Sequence, residues 1–145
     1  MRVYLDMCCL KRPFDDQSQL RVRLESEAVL ALLAAESDTV CFLRAPALHL
    51  ENSLNPLPVR AARVARWLGL PPKVAPSTQL QARTQDIMNL GISNFDALHL
   101  ASAESMEAHV FVTCDDRLLS AARRAGTALR VRVLGILELA AEILK

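Results

Sequence analysis

With 145 residues, 52% of them apolar, and a net charge of +1, the chain has material for one domain with a real core and is not a generic polyanion binder. No run approaches the roughly 18 uninterrupted apolar residues of a membrane span, and the charge at Asp6 interrupts any apolar signal region near the N-terminus. A soluble cytoplasmic protein without a membrane partner is the expectation.

Residues 2 to 5 alternate and carry Val3 and Tyr4, which predicts a short buried strand ending at Asp6. Lys11-Arg12-Pro13 breaks it. Asp15 or Asp16 is placed to cap the next helix, with Gln19 three residues past Asp16. Leu20, Leu24, Ala28, Leu32 and Ala35 share one stripe, so residues 17–36 read as a long amphipathic helix. Val40-Cys41-Phe42-Leu43 is a second strand. Pro46 opens a helix carrying Leu50 and Glu51; Pro56 and Pro58 end it and start another through Leu68, stopped by Gly69 and Pro71-Pro72. A weaker helix over 77–90 stops at Gly91. Ser93 begins a helix to about Ala108, Val110-Phe111-Val112 is a buried strand, and a helix follows to Arg124 and Gly126. Leu129–Leu134 is the last strand, with a C-terminal helix after it. Strands alternating with helices predict a parallel sheet covered on both faces. Four strands, with a block of helices between the second and third, make one domain over residues 1–145. Ligands of such sheets gather at the carboxyl ends of the strands.

Cys8, Cys9, Cys41 and Cys114 show no zinc spacing, and each lies in or beside an apolar stretch. They read as buried reduced thiols at strand ends. Residues 52–85 and 117–137 contain no acid but hold Arg60, Arg63, Arg66, Lys73 and Arg83, and Arg117, Arg123, Arg124, Arg130 and Arg132. These blocks suit a phosphate-facing surface, or are solvated helix faces.

The acids are the informative part. Asp6 lies at the end of the first strand, Asp115 and Asp116 at the end of the third, Asp96 in the first turn of a helix, and Glu51 on a helix able to reach the same edge. Singly, each has a bland explanation. Asp6 can close a turn, Asp96 and Asp116 stand three residues after Ser93 and Thr113 as helix caps do, and Glu51 can lie on the surface. Together they crowd negative charge, for which a cation is the usual remedy. A set of oxygen ligands favours Mg²⁺ or Mn²⁺ over Zn²⁺.

At these residues the chain resembles the PIN-domain nucleases, which include the VapC-type toxins. The matching pieces are Val3-Tyr4-Leu5-Asp6, Glu51 in a helix after the second strand, Asn94-Phe95-Asp96-Ala97-Leu98-His99-Leu100-Ala101-Ser102-Ala103-Glu104, and Val110-Phe111-Val112-Thr113-Cys114-Asp115-Asp116-Arg117. The resemblance implies a three-layer α/β/α sandwich on a central parallel sheet of about four to five strands. It also implies metal-dependent cleavage of RNA. Asp6, Glu51, Asp96 and Asp115 become the catalytic acids, with the metal on Asp6, Asp96 and Asp115. RNA is the implied partner, and a toxin-type member has a small antitoxin protein; a homodimer is left open. The chain departs from the family after Asp6, where Met7 and Cys8 replace a small hydroxyl or amide that helps order the metal shell. This departure favours the alternative, a catalytically weak or inactive PIN-like module that binds nucleic acid or protein.

Thr113 is expected to support the site by bonding an acid or capping its helix, and Asp116 to support it as a cap. His99, three residues after Asp96, can face the site or sit partly buried. Arg60, Arg63 and Trp67 share a helix face that suits phosphate and a stacked base, with Trp67 equally suited to the core. Arg60 and Arg63 are the first candidates for RNA contacts, and Lys11 and Arg12 the second. Two phosphotransfer classes also place acids at strand ends. A haloacid-type phosphatase needs a second aspartate where Cys8 stands, and a receiver-type domain needs a lysine at a late strand end, a place that residues from Arg117 onward do not fill with one.

Overall fold

The computed structural model describes residues 1–73 and 77–144. Four parallel strands, β1 (Arg2–Leu5), β2 (Cys41–Phe42), β3 (Val110–Thr113) and β4 (Arg132–Gly135), form one sheet in the order β2-β1-β3-β4. Eight helices accompany them among the described residues: α1 (Met7–Lys11), α2 (Leu20–Ala34), α3 (Pro46–Ser53), α4 (Pro58–Leu68), α5 (Thr78–Met88), α6 (Asn94–Ser105), α7 (Asp116–Ala125) and α8 (Ile136–Ile143). The result is a three-layer α/β/α sandwich.

The central strands are buried on both faces, so they read as apolar runs rather than alternating ones. Val3, Tyr4, Leu5 and all of β3 are buried. Their register pairs Val3 with Val110, Tyr4 with Phe111 and Leu5 with Val112. Tyr4 and Phe111 stack with ring centroids 5.3 Å apart, an arrangement that contributes about 1 kcal/mol beyond burial. The edge strands are shorter or more exposed than expected. β2 shrinks to two residues, and β4 starts at Arg132 rather than Leu129.

Two helical expectations need correction. Residues just after Asp6 form α1, a five-residue helix, followed by a 3-10 turn over Arg12–Phe14. The chain therefore leaves the sheet directly into a helix. And α2 starts at Leu20, not residue 17, with neither Asp15 nor Asp16 as its cap. The Gln17 amide instead donates to the carbonyls of Arg12, Pro13 and Asp15, and Asp16 accepts from the Ser18 N–H at 3.0 Å. The buried face of α2 is Val22, Glu25, Ser26, Ala28, Val29 and Leu32, whereas Leu20 and Leu24 point to solvent. Glu25 turns inward because Arg12 and Arg21 pair with it at 3.1 and 3.3 Å. A charged residue on the packed side hid the true stripe from the pattern of apolar positions.

The other helix boundaries follow local chemistry. Pro46 and Pro58 sit at the first helical positions, where a missing N–H costs nothing. Gly69 ends α4 at φ 79°, a conformation that favours glycine. On one side of the sheet α3 and α5 pack against α6, and α2 packs against α8. This places the start of α6 and the last turn of α3 above the carboxyl ends of β1 and β3.

Candidate metal centre

The site is built where β1 and β3 end side by side. The Asp6 N–H donates to the Val112 carbonyl at 2.9 Å, continuing the β1–β3 ladder by one step and fixing the aspartate over the sheet edge. Its side chain is buried. Oδ1 accepts from the Met7 N–H at 2.8 Å, so Asp6 also starts α1. Oδ2 accepts from the Thr113 hydroxyl at 2.9 Å and the Cys8 thiol at 3.4 Å. Burial pushes the Asp6 carboxyl well above the usual range, Cys8 and Asp96 add to this, and His99 and Thr113 pull partly back.

His99 is fully buried on α6 and bridges two elements. Nδ1 lies 2.6 Å from the Tyr4 hydroxyl and Nε2 2.7 Å from Glu51 Oε1. An ionised carboxylate accepts only, so the Nε2 proton points to Glu51. Nδ1 then accepts from Tyr4 while the ring is neutral. Burial, with Asp6 and Glu51 nearby, raises the Tyr4 hydroxyl well above its ordinary value, so it keeps its proton. For His99, burial disfavours the charged form. The Glu51 bond and the charges of Asp6, Glu51 and Asp96 outweigh it, and the imidazole pKa is raised. Ligand atoms of Asp6, Glu51 and His99 all lie within 4.8 Å of one another.

Asp96, in the first turn of α6, is half-buried, and its Oδ2 accepts from the Ser93 hydroxyl at 2.9 Å. Burial raises its pKa, the Ser93 bond and His99 lower it, and Asp115 and Glu51 raise it further. Asp96 and Asp115 line one cleft of about 310 Å³ together with Ser93, Arg117 and Leu118. Asp115 Oδ1 accepts from the N–H groups of Arg117 and Leu118 at 2.8 and 3.4 Å. The N-cap of α7 is therefore Asp115, not Asp116. Asp116 is exposed and faces Arg21, with contacts of 2.7 and 2.8 Å. The capping box expected at Ser93 and Asp96 is also absent, because the serine hydroxyl donates to the carboxylate instead of accepting a backbone N–H.

Each of the three more accessible acids keeps one carboxylate oxygen without a hydrogen-bond partner among the described residues: Glu51 Oε2, Asp96 Oδ1 and Asp115 Oδ2. The ligand atoms that converge within 4.8 Å are those of Asp6, Glu51 and His99; Asp96 and Asp115 stand outside that group and line the cleft, where their free oxygens are hard donors of the kind that suits Mg²⁺ or Mn²⁺. Met7 is buried in the core, while Thr113 and Cys8 both donate to Asp6. Thr113 also accepts the Asp115 N–H at 3.1 Å, tying the two aspartates to one hydroxyl.

The basic residues divide. Arg12 pairs with Asp15 at 3.3 Å and Glu25 at 3.1 Å, and Arg60 with Asp15 at 3.4 Å, so both hold the fold together around the 3-10 turn. Arg63 is exposed, Lys11 is half-buried, and neither forms an ion pair among the described residues. Trp67 packs against the core beneath the Arg44 guanidinium, 4.1 Å from its ring centre, so that face is covered. Arg117 lies on the cleft itself. Tyr4, Ser93, Cys8 and Arg117 are site residues that the sequence reading did not assign. Tyr4 had a signal: it precedes Asp6 by two, and alternate strand residues share a face.

Of the cysteines, Cys9 and Cys114 are buried as expected, Cys8 is half-buried, and Cys41 is exposed on the edge strand. None of the helices among the described residues is long and apolar enough to cross a membrane. In comparisons with protein-family models, curated proteins and solved structures, nothing matches the chain.

Proposed function

We propose that the chain is a metal-dependent endoribonuclease of the PIN-domain type, with Mg²⁺ or Mn²⁺ held by Asp6, Asp96 and Asp115. The observation that supports this reading is the approach of Glu51 to Asp6 and of Asp115 to Asp96 near the carboxyl ends of β1 and β3, with Asp96 and Asp115 lining one cleft. When bound, a divalent cation supplies positive charge to a phosphodiester oxygen and makes water more acidic. The protein residues supply the rest. Thr113 and the Met7 N–H hold Asp6, Ser93 holds Asp96, and the start of α7 holds Asp115. His99 holds Glu51 by one oxygen, which leaves Oε2 free to accept a proton from water.

A role as the toxin of a toxin–antitoxin pair, with a small protein antitoxin, belongs to the same proposal and draws its support from the resemblance. A reducing cytoplasmic setting is supported by the neighbouring thiols, all of which are free. The test is cleavage of a mixed RNA pool with and without Mg²⁺ or Mn²⁺, with Asp6→Asn as control. Cleavage that needs the cation and disappears in the variant is expected. Tight RNA binding without cleavage in any divalent cation would favour the inactive module instead.

A further inference from the structure

The second cluster of metal-ligating side chains contains no carboxylate. Cys8 and Cys9 stand on α1 and Cys114 follows β3, and the β1–β3 pairing brings them together. Their sulfurs all lie within 4.8 Å of one another, with Cys9 and Cys114 Sγ 3.5 Å apart. Cys8 Sγ is held by the Cys114 N–H at 3.2 Å and lies 3.2 Å from the Thr113 hydroxyl. Three sulfurs bound in a plane to one ion, each at about 2.3 Å, stand roughly 4 Å from each other. The observed spacings therefore need only small rotations of the thiols.

The donor count selects the ion. Zinc in a structural site takes four ligands. No fourth thiol or imidazole joins this group among the described residues: Cys41 is exposed on β2, and both His99 nitrogens are engaged by Tyr4 and Glu51. Asp6 reaches Cys8 but belongs with Glu51 and His99. Soft thiolates without a fourth partner favour monovalent copper. Three thiolates around one such ion leave two negative charges in excess. The Arg12 guanidinium stands beside Cys114, and its Nε is buried without a hydrogen-bond partner among the described residues.

We propose that Cys8, Cys9 and Cys114 form a three-sulfur site for monovalent copper, which adjoins the carboxylate centre through the Cys8–Asp6 contact and does not rest on the nuclease reading. On binding, each sulfur that still carries a proton releases it to buffer, and no electron is transferred.

The test titrates reduced protein under anaerobic conditions with Cu⁺ against a chromophoric Cu⁺ chelator. Wild type and Cys41→Ser should each withhold one ion per chain, and Cys9→Ser and Cys114→Ser should bind more than about tenfold more weakly. X-ray absorption at the copper edge of the loaded wild type should report three sulfur neighbours. If a buried-cysteine variant does not fold, the half-buried Cys8→Ser and the wild-type spectrum decide. Failure of wild type to withhold copper, undiminished binding in all three cluster variants, loss of binding in Cys41→Ser, or a shell lacking three sulfurs would overturn the proposal.

Discussion

Thr113 and Asp6 are joined across the β1–β3 pair by a buried hydrogen bond of 2.9 Å, and the same threonine oxygen accepts the N–H of Asp115. One hydroxyl thus fixes two acids of the site. Thr113→Val keeps the shape but removes both bonds, leaving the Asp6 carboxylate short of a donor and a backbone N–H without its acceptor. The expected loss is about 1–3 kcal/mol in urea unfolding. A weaker Mn²⁺ affinity should accompany it. Thr113→Ser should recover most of both, and a Val variant with wild-type metal affinity would show that the hydroxyl does not organise the site.

Asp115 and Asp116 should separate cleanly. Asparagine caps a helix about as well as aspartate, so Asp115→Asn should keep near-native stability while losing RNA cleavage. Asp115→Ala should lose cleavage and about 1 kcal/mol as well. Asp116→Asn breaks only an exposed pair with Arg21, and both melting temperature and cleavage should stay near wild type. Cleavage lost in Asp116→Asn and retained in Asp115→Asn would assign the chemistry to the wrong neighbour.

Protons should compete with the divalent cation. Asp6 and Asp96 have raised pKa values in the metal-free protein, each first through burial. Binding requires them ionised, so Mn²⁺ affinity should begin to fall above the ordinary carboxylate range of about 4 as pH is lowered. Calorimetry in buffers of different ionisation enthalpy should detect proton release on binding. Affinity independent of pH from 5 to about 8 would contradict the crowded-carboxylate picture.

The His99–Glu51 bond gives a stability signature of defined sign. His99 has a raised pKa in the folded state. Its contribution is therefore complete below about 6.5, the unfolded value, and is lost as pH rises through the folded value. Glu51→Gln removes the charge that does most to raise it. The stability difference between wild type and Glu51→Gln should be largest in mildly acidic solution, roughly 2 kcal/mol, and shrink in alkali. Titration of the imidazole by NMR should show the folded pKa falling in the variant.

RNA affinity should depend more on Arg117 and Arg63 than on Arg12 or Arg60. The latter two are engaged by Asp15 and Glu25, while Arg117 lines the cleft beside Asp96 and Asp115. With Ca²⁺ present to limit cleavage, Arg117→Ala should weaken single-stranded RNA binding and reduce the salt slope of log K by about 0.7. Arg60→Ala should chiefly lower stability. Equal slopes for wild type and Arg117→Ala would remove Arg117 from the interface.

Much of this was legible where chemistry is local. β3 was readable because Val110, Phe111 and Val112 are apolar and flanked by turns, and α6 because Ser93 and Gly91 mark its start. The acids could be placed at one edge because parallel strands send their carboxyl ends the same way. What escaped depended on contacts between distant residues. Glu25 looked like a solvent-facing residue until Arg12 and Arg21 turned it inward. Cys8-Cys9 had no metal spacing by itself, and its third sulfur arrives from residue 114 through strand pairing. The cap of α7 is one residue earlier than the spacing suggests: both aspartates fit a helix start, but Asp115 accepts the Arg117 and Leu118 N–H groups while Asp116 turns to Arg21.

The placement of β1 in the interior of the sheet bears on the timing of assembly. Val3 is paired on one side with Phe42 and on the other with Val110. During synthesis β1 emerges before β3, so its second edge waits until residue 110 has left the ribosome. Asp115 emerges later still, so the four acids cannot meet on a nascent chain that is far from complete. Products ending before residue 110 would carry an apolar strand with one bare edge, a template for aggregation.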